Sequence, residues 1–147
     1  MSARSTAHLA IDWFVPPLEL ESWEFFHHPA KQPFYQRHGL NWERLLQANE
    51  RGRLVPYPRG PKLGEIQVLL SYSSYDDYLN YIVRAKRGYR NGYVQLERAL
   101  QQEGTLQLPA ATVLVAGGEA LLFAGYRRLC LAWNLGMIPL VWRLDAE

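Results

Sequence analysis

The stretch Glu119–Trp142, EALLFAGYRRLCLAWNLGMIPLVW, decides how this chain is read. An apolar run ends at Gly125, two adjacent arginines follow, an apolar helical pattern closes at Gly136, and a second apolar run starts at Ile138. That order predicts strand, tight turn, helix and strand. Just upstream, ATVLVA is another strand pattern, and Gly117-Gly118 between the two runs predicts a two-residue hairpin. Arg127 and Arg128 fall in the first turn of the helix, where the dipole is already positive. Backbone N–H groups also converge there and attract anions. A glycine lets a ligand approach the backbone, and arginine meets phosphate with paired hydrogen bonds. Gly125, Tyr126, Arg127 and Arg128 are therefore the candidate phosphate-binding residues. The alternative is structural: one arginine lies in solvent and the other pairs with a carboxylate such as Glu119 or Asp145. Adjacent helical positions are about 100° apart, so the two arginines are not expected to share one ligand equally.

Outward from this stretch, the chain from Gly64 is regular. EIQVLL alternates as a strand, and SSYDDYLNYIVRAKRG predicts a helix capped by Ser74, with Asp76 and Asp77 in its first turn and Gly88 as its stop. NGYVQLERALQQEG predicts a second helix with Tyr93, Leu96 and Leu100 on one face, closed by Gly104. Helices and strands in this order give a mixed α/β or α+β domain over residues 62–147, and α+β, with a small mixed sheet and flanking helices, is the class expected. Residues 1–61 differ, holding all four histidines and most of the prolines. Their one clear helix follows Asn41, with Trp42, Leu45 and Leu46 as its stripe and Gly52 beyond its end. VPYPRGP predicts a turn or linker, and the aromatic run before the helix has no sustained period. Residues 1–61 are thus expected to be a proline-rich and aromatic extension packed on the core, with partner docking as its second role.

Composition excludes little. Charged residues are 20% and hydrophobic ones 48%, ordinary globular usage, and a net charge of +2 is too small to argue nucleic-acid binding by itself. One local cluster does suggest it: Arg84, Lys86, Arg87 and Arg90 interleave with Tyr89 and Tyr93, a pattern that can hold a DNA or RNA backbone and stack bases, or be a solvated helix end. Cys130 is alone, so no internal disulfide forms, and four residues into an apolar helix it fits a small core residue. His27-His28 has no further ligand at metal spacing, so no metal site is predicted. The beginning lacks a signal pattern, and LPAATVLVAGGEALLFAGY is broken by Pro109, Gly117-Gly118 and Glu119, so a cytoplasmic location without membrane contact is expected.

The stretch Leu100–Leu144 resembles the ParB/sulfiredoxin superfamily, in which a helix, a G…PxxV segment, a hairpin, a Gly-x-x-Arg turn, a helix and an LG…IPV strand follow one another. Gly104, Pro109, the Gly125 turn and Ile138-Pro139-Leu140-Val141 occupy those places. Partition proteins of the family carry G-E-R-R-x-R-A at the turn; Gly125, Arg127 and Arg128 match, while the acid and the third arginine have no counterpart. Other members carry D-G-H-x-R, and Ala124 stands at the position of that acid. Cys130 is not at the place of sulfiredoxin's catalytic cysteine, which sits beside the glycine. The resemblance implies that the turn binds nucleotide phosphates, with a nucleoside triphosphate and Mg2+ as the expected ligands. Family members include CTP-hydrolysing partition proteins, ATP-using sulfiredoxin and a free serine kinase. Nucleotide hydrolysis, phosphotransfer and binding without turnover are all compatible with it, as is a DNA, RNA or protein-binding module on the same fold.

Overall fold

Two glycines with positive φ, Gly117 at 57° and Gly118 at 77°, reverse the chain between two apolar runs. They join β6 (Ala111–Ala116) and β7 (Glu119–Ala124) into the predicted antiparallel hairpin. The computed structural model describes residues 9–17, 26–60, 62–69 and 87–146; the side chains of residues 87–93 and Tyr126 lie outside that description. Its remaining strands are β1 (Ala10–Phe14), β2 (Arg53–Pro56), β3 (Lys62–Leu63), β4 (Ile66–Leu69), β5 (Thr105–Pro109) and β8 (Leu140–Asp145). The helices are α1 (Gln32–His38), entered through a 3-10 turn at Pro29–Lys31, α2 (Trp42–Glu50), α3 (Arg87–Glu103) and α4 (Tyr126–Asn134). The class is α+β.

Among the described residues, one mixed sheet has the order β2-β8-β6-β7-β4-β3, and β1 pairs with β5 in parallel apart from it. β6 runs parallel to β8, and β4 parallel to β7. The alternation of β6 and β7 separates two cores, as the period-2 pleat requires. Leu114, Ala116, Leu121, Phe123 and Leu144 face Phe26, Phe34, Tyr35, Leu45 and Ala48 from the α1–α2 layer. Ala111, Val113, Ala120, Leu122 and Val141 face Leu129 and Trp133 of α4. The far side of α4 offers Leu131 to Leu9, Leu100 and Leu108. Because α4 is covered on both sides, Leu129, Cys130, Leu131 and Ala132 are all at most 1% exposed. Each buried leucine contributes roughly 1.5–3 kcal/mol. A nine-residue helix that is apolar nearly all round is stable only in such a setting.

Several predictions about elements stand corrected. Gly88 does not stop a helix; it lies inside α3, which begins at Arg87. One glycine costs a helix about 1 kcal/mol, which the apolar face carried by Leu96 and Leu100 against α4 readily offsets. Val55-Pro56 belongs to β2 and is not a linker, because Pro56 sits on an edge strand where a missing N–H is tolerated. Ala10–Phe14 and Thr105–Pro109 are strands that the sequence pattern did not reveal; they pair with each other. The helix predicted from Ser74, with Asp76 and Asp77, lies outside the described residues. Strands from both sides of residue 61 share one sheet, since β2 pairs with β8. The Asn41 cap is as expected: its Oδ1 accepts from the Arg44 amide at 2.8 Å.

Candidate functional site

The registers place the C-terminal end of β7 beside the N-terminal ends of β6 and β8. Gly125 turns the chain there into α4. Its φ of 107° and ψ of 21° are left-handed values, and it is the N-cap of the helix without a side-chain cap. A side chain at this position would collide with β6, since a Cβ would lie 2.5 Å from the Ala111 Cβ and 2.7 Å from its Cα. The glycine therefore serves a close packing of the turn on β6 as well as its backbone angle. The first intrahelical bond runs from the Leu129 amide to the Gly125 carbonyl at 3.1 Å, so the preceding amides point out of the helix N-terminus.

The two arginines diverge as the helical geometry demands. Arg127 is exposed, while Arg128 is half-buried, its terminal nitrogen 3.1 Å from where a Gly125 Cβ would stand. The Arg128 Nε is buried without a hydrogen-bond partner among the described residues. Burial, helped by the neighbouring Arg127 charge, pulls the Arg128 pKa below the usual guanidinium value. Glu119 and Asp145, the two carboxylates weighed as arginine partners, are engaged at the opposite end of the sheet. Glu119 accepts from Arg37 Nε at 3.0 Å and lies 2.8 Å from His38 Nε2. Asp145 pairs with Arg143 at 2.9 Å. The His38 hydrogen bond, with Arg37 beside it, holds the Glu119 carboxyl below the usual carboxylate range.

Other candidates fall into place individually. Cys130 is buried and its thiol is pushed up to about 12 by burial, so it is core and not a nucleophile. The Arg59 charge acts on that thiol in the opposite sense. His28 caps the 3-10 turn, its Nδ1 accepting from the Ala30 amide at 3.2 Å. The Tyr126 backbone opens α4, and its side chain lies outside the described residues. Arg84 and Lys86 lie outside the described residues, and Arg87 and Arg90 are described only as backbone in α3. No helix among the described residues is long and apolar enough to cross a membrane.

Sequence reasoning missed Lys31. It is 5% exposed, and its ammonium donates to the Phe123 carbonyl two residues before Gly125. A signal was present: Lys31, Phe34, Tyr35 and His38 share the i, i+3, i+4, i+7 stripe of a helix, and a lysine in such a stripe points inward. No family model, curated protein or solved structure matches this chain.

Proposed function

We propose that the chain binds a phosphate-bearing ligand, a nucleotide in the first instance, at the Gly125 turn, on a domain of ParB/sulfiredoxin-like type. The observation that carries this is Arg128: a half-buried guanidinium with an unpaired Nε, beside a helix N-terminus, facing no carboxylate partner among the described residues. Leaving such a group unsatisfied costs roughly 1–3 kcal/mol, and an anion at the turn would recover it. Arg127, exposed one position earlier, carries a second positive charge on the same helical turn. The function so supported is binding. Hydrolysis or phosphotransfer would need an acid or a metal-bound water, and Ala124 and Tyr126, which stand where members of the resembled superfamily carry an acid, supply no carboxylate.

Thermal shift with ATP, CTP, GTP and inorganic phosphate, each with and without Mg2+, tests the proposal. A ligand at about 100 times its Kd adds roughly 2.7 kcal/mol and raises Tm by several degrees. Arg128→Gln should weaken binding about tenfold or more. If no member of the panel moves Tm, the proposal fails.

A further inference from the structure

β6 and β7 keep one register from Ala116↔Glu119 to Val113↔Leu122, then slip, so that Thr112 faces Ala124. Phe123 is left without an opposite residue: it is a β-bulge, which disrupts the ladder locally and re-aims the strand. The slip also resets the side-chain alternation. Leu121 and Phe123 face the α1–α2 layer, and Ala124 packs against that same layer instead of turning to the α4 side. The chain then reaches Gly125 in the orientation that starts α4.

Lys31 sits at this irregularity. From the end of the 3-10 turn its ammonium donates to the Phe123 carbonyl and lies 4.7 Å from the centroid of the Phe123 ring. Charge-assisted hydrogen bonds and ring contacts of this kind are among the stronger polar contacts available in a core. Burying an ammonium is otherwise costly, and desolvation draws the Lys31 pKa down to about 8. We propose that Lys31 is a positioning residue that holds the Phe123 bulge, and through it the Gly125 turn, in the shape that aims the start of α4 at an anion. The link to ligand rests on the phosphate proposal above; the link to the turn does not.

The test uses the full chain with Lys31→Met, which keeps the apolar stem and removes the donor, and Lys31→Gln, which restores an N–H donor. Two readouts are taken. The first is amide hydrogen exchange at Leu129, whose bond to Gly125 opens when the turn loosens, against exchange at Leu45, whose bond to Asn41 lies in α2. The second is affinity for inorganic phosphate. Lys31→Met should speed Leu129 exchange about tenfold relative to Leu45 and weaken phosphate about tenfold, and Lys31→Gln should recover most of both. Equal acceleration at Leu129 and Leu45 would reduce Lys31 to general core packing and overturn the proposal, as would unchanged exchange at Leu129. Should Lys31→Met not fold, Lys31→Gln against wild type decides: a smaller acceleration confined to Leu129, from the shorter and uncharged donor, supports the positioning role, and unchanged exchange or equal acceleration at Leu129 and Leu45 refutes it. Wild-type protein that ignores phosphate while Lys31→Met still loosens Leu129 selectively would sink the phosphate proposal and leave the positioning role standing.

Discussion

The two ends of the β6–β7 hairpin hold charged groups in opposite conditions. At the Gly117-Gly118 end, Glu119 is met by Arg37 and His38 from α1, and the His38 ring lies so close that a Cβ on Gly117 would be 2.7 Å from it. At the Gly125 end, Arg128 is drawn into the protein with its Nε unpartnered among the described residues. One end is a closed electrostatic contact and the other is an open one. A charge satisfied by the fold needs no ligand, whereas one left buried and unpaired raises the free energy of the empty protein and lowers it again when an anion arrives. The difference separates a structural cluster from a candidate site more firmly than the presence of arginines does.

The strongest way to break the comparison is at the glycines. Gly125→Ala should destabilise by roughly 2–4 kcal/mol, adding a left-handed penalty to a collision with the Ala111 backbone. Gly118→Ala, with nothing within 4 Å of the new Cβ, should cost only the backbone penalty of about 1 kcal/mol. Urea denaturation of both variants checks this, and equal losses would show that the Ala111 contact is not tight.

Lys31 gives the next largest effect. Its folded pKa of about 8 lies below its ordinary 10.5, so the folded state binds fewer protons between these values. Stability should therefore rise with pH across that window, by up to about 3 kcal/mol, and stay flat below it. Tyr35, whose hydroxyl burial holds above its ordinary value, works the other way at high pH. The measurement is the difference between wild type and Lys31→Met, in which Tyr35 is unchanged; a difference that does not grow with pH would mean that Lys31 titrates normally.

Arg128→Met sharpens the comparison from the open end. It should stabilise the ligand-free protein by about 1 kcal/mol and weaken phosphate binding about tenfold or more, because the unpaired group disappears with the contact it would make. A loss of stability would instead identify Arg128 as structural. The smallest effect belongs to the closed end. Glu119 has a lowered folded pKa, so its contribution is present above the ordinary carboxylate range and lost as pH falls through the folded value. Glu119→Gln should cost under about 1 kcal/mol at neutral pH, as partly exposed pairs do, and converge with wild type in acid.

Much of this fold could be read locally. The Gly117-Gly118 hairpin, the Asn41 cap, the strand at Ile66 and the α4 helix each announce themselves through residues within a few positions. The strands β1 and β5 could not be read, because AIDWF and TLQLP are short and their pairing is parallel and distant in sequence. Gly88 misled because a local stop signal is weaker than the packing of a long amphipathic helix. At the site, Gly125, Arg127 and Arg128 were visible from the turn itself. Lys31 was not, since 92 residues separate it from Phe123.

The sequence by itself therefore determined the α+β class, the hairpin, the strand-to-helix turn and the presence of two arginines in its first turn. Only the tertiary structure decided which arginine is buried, that Glu119 and Asp145 are committed elsewhere, and that a lysine from the N-terminal segment holds the bulge ahead of the turn. The reason is physical: turns and caps are set by neighbours along the chain, whereas burial and charge pairing depend on which distant surfaces the sheet brings together.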